Sequence, residues 1–205
     1  MNHINSTIII AFMGVDGSGK STLIDKLSKK VFKKYNKIKY LHLRPYLFLT
    51  DKRTTIINPH IQKKPNSKFL SLLKILLWLF MYKFFFIFKV KKINQLIIFD
   101  RYAHDLLIDK VRYKFNLSKK LTNRILKIFP EPHLWIVLKA PIKTIEKRKK
   151  ELSSRELKKQ MKKYINFSVK KKNSLLLDTK ISIEKNIILI IKKIRSIQYN
   201  KQKII

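Results

Sequence analysis

Nine residues near the N-terminus, Gly14-Val15-Asp16-Gly17-Ser18-Gly19-Lys20-Ser21-Thr22, have the types and spacing to hold a chain of phosphates. They fit the pattern G-x-x-x-x-G-K-[ST] in full. Glycines let successive backbone N–H groups turn inward and come close to phosphate oxygens. A helix opening at the end of such a loop adds the positive end of its dipole. Lys20 is placed to reach the β- and γ-phosphates as a point charge and the Ser21 hydroxyl to ligate magnesium, so ATP with Mg2+ is the expected ligand. The whole chain contains three glycines, and Gly14, Gly17 and Gly19 fall within six consecutive positions. Where glycine is so scarce, that clustering marks a function.

A second candidate is Leu96-Ile97-Ile98-Phe99-Asp100-Arg101-Tyr102, an apolar strand ending in a carboxylate. Asp100 would stand beside the phosphate loop, near the metal. Many strands end in Asp. The informative features are its distance of about 80 residues from Lys20 and the Arg-Tyr pair directly after it.

These residues need a scaffold, and the pattern supplies one. Apolar runs alternate with helical periodicity, as in a parallel sheet covered on both faces. Strands are expected at Thr7–Met13, Lys39–Arg44, Gln95–Asp100, His133–Lys139 and Ser174–Asp178. Ser21–Lys34 reads as a helix with Leu23, Ile24, Leu27 and Val31 on one face. The last helix lines up Ile183, Ile187, Ile190, Ile191, Ile194 and Ile197. Pro141 starts a helix after the fourth strand, and Ser153-x-x-Glu156 is a capping box starting another. No linker or repeat divides the 205 residues, so a single α/β domain is expected, with a helical insertion at about 60–92 and a lid at about 142–165.

Phe69–Phe88 is long and apolar enough to cross a membrane, interrupted by Lys74 and Lys83. Basic residues flank both ends (Lys63, Lys64 and Lys68, then Lys89, Lys91 and Lys92), which gives no orientation. A span would also separate two neighbouring strands of one sheet. A buried helix or helical pair is expected, serving as a subunit interface in a homodimer. A helix lying on a membrane surface is the alternative.

Forty-eight Lys and Arg against 12 Asp and Glu give a formal charge of +36. Such a charge attracts nucleic acid, anionic lipid or polyanionic substrates. The lysines are spread over the whole length, however, and accompany abundant Ile, Asn, Leu and Phe, the drift that an AT-rich genome imposes. The stretch around Phe84–Phe88 is too apolar for a nucleic-acid groove. The absence of cysteine excludes disulfides and thiolate metal sites and fits a reducing cytoplasm. Thr7–Met13 lacks the basic leader of a secretory signal.

Gly14–Thr22 and Asp100-Arg101-Tyr102 together resemble the thymidylate kinase family of nucleoside monophosphate kinases. Three further runs are similar to a thymidylate kinase-like subgroup often found among surface-polysaccharide genes. They are Leu41-His42-Leu43-Arg44-Pro45, Asp100 to Asp109, and Arg148-Lys149-Lys150-Glu151-Leu152 with Glu156. The resemblance implies a five-stranded P-loop kinase fold, ATP with magnesium, and a mobile lid. It implies that Asp16 contacts the acceptor side, that Arg101 clamps phosphate between donor and acceptor, and that the lid lies near Arg148 and Arg155. Arg148 would complete the cationic cage, and Asp178 would lie near the adenine or serve as a turn residue.

The acceptor is less defined than the donor. A hydroxyl acceptor benefits from a carboxylate base, whereas a phosphate acceptor is already ionised and needs cations. Arg44 ends the second strand and Arg101 follows the third, which favours a phosphorylated acceptor; Asp16 and Asp105 could serve a hydroxyl. The thymidylate kinase sequence Arg-Glu-Pro-Gly-Gly after the second strand is missing, leaving Arg44-Pro45-Tyr46. Tyr46, Phe48 or Tyr102 could stack on a base or fill the core. A nucleoside monophosphate, dTMP by family default, is the leading acceptor. The alternatives are a phosphorylated sugar or polysaccharide precursor, a nucleic-acid-binding ATPase, and a nucleotide-binding partner without turnover.

Overall fold

Five short runs form strands; the three central ones are apolar and almost wholly buried, and the two at the edges are partly exposed. The five are β1 (Ile8–Met13), β2 (Lys37–His42), β3 (Gln95–Asp100), β4 (Leu134–Lys139) and β5 (Ser174–Asp178). The architecture comes from a computed structural model that describes residues 7–45, 64–88, 90, 94–149 and 151–202. The strands are all parallel, in the order β2-β3-β1-β4-β5. Every residue of β1 and β3 is buried, as expected for a parallel sheet covered on both faces.

The two-residue period of the strands divides the core in two. One face gathers Ile8, Ile10, Phe12, Ile98 and Ile136 against α1 (Lys20–Val31) and α7 (Ile183–Gln202). The helical faces read from the sequence are the ones used: Leu23, Ile24, Leu27 and Val31 on α1, and Ile187, Ile190 and Ile194 on α7. The other face gathers Ile9, Ala11, Phe99, Trp135 and Val137. It packs against α2 (Lys68–Phe88), α3 (Asp105–Ile108), α4 (Lys119–Leu126), α5 (Ile142–Arg148) and α6 (Ser154–Lys170). The Ser153–Glu156 capping box is formed at the start of α6.

Two expectations need correction. β2 ends at His42 rather than Arg44, because Leu43 takes a left-handed conformation (φ 62°). The Leu43 N–H donates to Asp100 O, and the Arg44 N–H folds back to His42 O at 2.7 Å. The apolar stretch is one continuous helix, α2, one of the two forms expected, but it is buried along one face only. It buries Ser71, Ile75, Trp78, Met81, Tyr82 and Phe85 along one face and leaves the opposite face exposed. Its length and apolar composition would suit a membrane span. β1 pairs directly with β3 (Ile8 opposite Leu96), so the chain before and after α2 belongs to one sheet. The flanking Lys63, Lys89, Lys91 and Lys92 lie outside the described residues.

Behind the sheet, His104 packs against the rings of Tyr102, Trp135 and Phe167, at 5.9, 4.9 and 5.6 Å. Its Nδ1 has no hydrogen-bond partner among the described residues. Burial, reinforced by Lys171, pushes the imidazole down to about 3. The unfolded chain therefore binds this proton first, and between about pH 6.5 and 3 His104 lowers stability as pH falls. The slope is about 1.4 kcal/mol per pH unit. Urea denaturation of His104→Phe from about pH 6 to about pH 4 is expected to show a stability–pH slope shallower by about that amount; parallel slopes would remove His104 as the responsible group.

Candidate active site

The loop between β1 and α1 is closed tightly by the sheet. A Cβ on Gly14 would lie 3.1 Å from both Leu138 O on β4 and the Ser18 hydroxyl, so only glycine fits without displacing them. Gly19 caps α1 with φ +95°, a conformation that side-chain-bearing residues rarely adopt. The Lys20 ammonium turns back over the loop and donates to Gly14 O at 2.9 Å and Val15 O at 3.1 Å. An ammonium has three donors, so one is left for another acceptor. Burial pulls this lysine down to about 8, with Arg101 adding to the effect, while Asp16, Asp100 and Asp105 pull the other way. Ser21 and Thr22 are exposed at the start of α1.

Asp100 ends β3 opposite Phe12, two residues before the loop begins. Its Oδ2 accepts a hydrogen bond from the Tyr40 hydroxyl at 2.8 Å and lies 3.7 Å from His42 Nδ1. Its Oδ1 is buried with no hydrogen-bond partner among the described residues. Burial raises the carboxyl, but His42, Lys20 and Arg101 more than offset this and keep it below the usual carboxylate range. An ionised carboxylate with an orphaned oxygen, together with the Ser21 hydroxyl, is a hard oxygen donor set. It fits magnesium, which takes one or two protein ligands and fills its other positions with water and phosphate. Among the described residues no group of three or more His, Cys, Asp or Glu could form an all-protein cage.

Arg101 is the centre of the site. Its backbone is left-handed (φ 74°), and its N–H donates to Phe12 O at 2.9 Å. The guanidinium is almost wholly enclosed. Nη1 donates to Asp105 Oδ2 at 2.6 Å and to the Tyr164 hydroxyl at 3.2 Å, and Nη2 donates to Asp16 Oδ1. Asp105 also accepts from Tyr164 at 3.0 Å and from Tyr113 at 3.3 Å. The second oxygen of Asp16 accepts from Arg112 Nη1. Burial raises the Asp16 carboxyl, but Arg101, Lys20 and Arg112 together outweigh it and hold the group far below the usual range. Asp16 is therefore a permanent anion and a poor base.

Arg148, at the end of α5, is exposed and donates to Gly17 O at 3.2 Å, which brings it against the glycine loop. Arg155 sits exposed on the first turn of α6 and joins none of these bonds. Within the span 142–165 expected to form a lid, Ile145, Leu157, Met161 and Tyr164 are buried in the core, and Leu152 packs against the same cluster.

Other expected residues lie elsewhere. Tyr102 is fully buried, packs on Tyr82, Phe99 and Trp135, and donates to Pro130 O at 2.6 Å. It is a core residue and does not face the loop as expected. Arg44 stands over the Trp78 ring at 6.0 Å and joins no bond of the Arg101 cluster. Trp78 in turn meets Tyr113 edge-on at 5.9 Å, so one aromatic layer separates Arg44 from Asp105. Asp178 makes a turn, accepting from Lys180 N at 2.9 Å, and lines a cavity of about 360 Å³ with Lys139, Pro141, Lys158 and Lys162. Tyr46, Phe48 and Lys150 lie outside the described residues. Arg112, Tyr113, Tyr164 and His42 were not foreseen as site residues.

No family model matches the sequence, and no curated protein matches it. Solved structures do. Thymidylate kinase from Candida albicans is 19% identical with a TM-score of 0.60, over 93% of this chain and 92% of that one. Thymidylate kinase from Ehrlichia chaffeensis is 15% identical with a TM-score of 0.57, over 91% and 98%. Deoxyadenosine kinase from M. mycoides, solved with bound dATP, is 20% identical with a TM-score of 0.55, over 92% and 99%. The fold is that of the P-loop nucleotide kinases.

Within this network Asp105→Asn leaves the enclosed Arg101 with Asp16 as its remaining charged partner. Breaking a buried pair in this way costs about 3–5 kcal/mol. Chemical denaturation is expected to show that loss, and an unchanged midpoint would mean that Asp105 is not the anchor of Arg101.

Proposed function

We propose that the protein transfers the γ-phosphoryl group of ATP to a phosphorylated acceptor, a nucleoside monophosphate, with dTMP the first to test. The observation that carries this reading is the state of Asp16. The one carboxylate on the phosphate loop is held between Arg101 and Arg112, and it cannot accept a proton near neutrality. Lys20, Arg101, Arg112 and Arg148 surround it with positive charge. An acceptor hydroxyl would want a base, whereas an ionised acceptor phosphate wants cations beside a second polyanion.

In this mechanism the N–H groups of Gly14–Thr22 cradle the donor phosphates, and the third donor of Lys20 turns to the β- and γ-oxygens. Ser21 and Asp100 would hold magnesium, which would supply positive charge to offset the negative charge of the phosphates. Arg112, at the edge of this cluster, holds the acceptor phosphate in line with the γ-phosphorus, and the enclosed Arg101 adds positive charge beneath it. An acceptor oxygen forms the new P–O bond as the bond to the β–γ bridging oxygen breaks, and ADP leaves with that electron pair. No proton has to be removed from the acceptor, so a weakly basic Asp16 is no handicap. Arg148, already on the loop, offsets charge that spreads over the transferring group.

ADP production with Mg-ATP tests the reading on a panel of dTMP, other nucleoside monophosphates, unphosphorylated deoxynucleosides and sugar phosphates. Turnover on a nucleoside monophosphate is expected. Lys20→Ala should reduce it by at least about 100-fold with the fold intact. Arg112→Ala should raise the acceptor KM about tenfold, with a smaller effect on the KM for ATP. Turnover confined to unphosphorylated deoxynucleosides would reject the phosphorylated acceptor, and activity surviving Lys20→Ala would reject the donor site.

A further inference from the structure

The feature that phosphoryl transfer leaves unexplained is the outer face of α2. Phe69, Leu73, Leu76, Leu77, Phe80 and Ile87 line it and are between 45% and 73% exposed. A contiguous apolar surface of this kind marks a place where something binds. The helix has 21 residues and so presents a ridge about 32 Å long, not a groove that would receive a peptide. Its charges complete the pattern. Between Lys52 and Phe99 the sequence has ten Lys and Arg and no Asp or Glu. Among the described residues Lys64 and Lys68 are exposed at the start of α2, and Lys83 is exposed near its other end. Lys74 points inward, donating to Tyr113 O at 2.8 Å, which leaves the middle of the ridge apolar.

We propose that α2 docks the protein on an anionic lipid bilayer, with the ridge entering the headgroup boundary and the lysines beside it contacting acidic headgroups. An apolar helix face lying in the plane of the interface, with basic residues at its margins, is bound by burial and by charge together. The stem of Lys83 is long enough to lie along the ridge while its ammonium reaches the headgroups. A second copy of the chain is the less suitable occupant. A two-fold contact would set the same basic margins against each other, with no acidic residue in the segment to pair with them. The proposal is independent of the identity of the kinase acceptor.

Flotation of the full chain with phosphatidylglycerol–phosphatidylcholine vesicles, and with phosphatidylcholine vesicles alone, tests it. Binding to the anionic vesicles is expected, weakening as salt is raised. The double variant Leu73→Glu, Phe80→Glu, altered only at exposed positions, should bind at least about tenfold less while keeping its circular dichroism spectrum. Replacing Lys64, Lys68 and Lys83 by Gln should weaken binding separately, so the proposal stays testable if the double variant misfolds. Failure of the wild-type protein to float would overturn it. So would flotation that the apolar substitutions leave unchanged, which would reduce the contact to charge alone. A concentration-dependent dimer in size exclusion, split by Leu73→Glu, Phe80→Glu and accompanied by no flotation, would assign the ridge to a second copy.

Discussion

Everything at this site is arranged around one enclosed guanidinium. A charged group removed from water is tolerated only when its neighbours neutralise and hydrogen-bond it. Arg101 meets that demand through Asp16 on the loop after β1, Asp105 on α3 and Tyr164 on α6. Three segments far apart in sequence are thereby held together by a single side chain. The same constraint accounts for the left-handed backbone of Arg101, a conformation that is costly away from glycine and persists only where surroundings enforce it. Its N–H is held by Phe12 O, and the strand has to turn sharply there to aim the guanidinium beneath the loop.

The network also divides labour among the carboxylates. Asp16 and Asp105 are both engaged in holding arginines. Asp100 differs: one oxygen is held by Tyr40 and the other is bare. Three acids within one small region thus divide into two that hold arginines and one that keeps an oxygen unpaired among the described residues.

Legibility in the sequence followed rarity. The glycine loop stood out because the chain has three glycines and all are there. The sheet was readable because β1, β3 and β4 are buried on both faces and leave uninterrupted apolar runs. Arg112 was invisible for the opposite reason, being one cation among 48. A signal was nevertheless present: acids are scarce, and Asp100, Asp105 and Asp109 fall within ten residues, much as the glycines do. Tyr102 misled because the same Arg-Tyr pair sends one side chain into the site and the next into the aromatic core. α2 misled because its composition is apolar all round, while the sheet has room for only one of its faces.

The two hydrogen bonds of the Tyr164 hydroxyl have a mechanical consequence. The hydroxyl donates to Asp105 and accepts from Arg101, so α6 is tied in its C-terminal half to the Arg101 cluster. Its other end begins at the Ser153 cap, a few residues from the arginine that touches the phosphate loop. Leu157 and Met161 are buried on the same helix, so α6 is held to the core along its length. One stiff element thus joins the turn that touches the loop after β1 to the carboxylate that holds Arg101. A change in spacing at either end is carried to the other through a rod rather than through a loop.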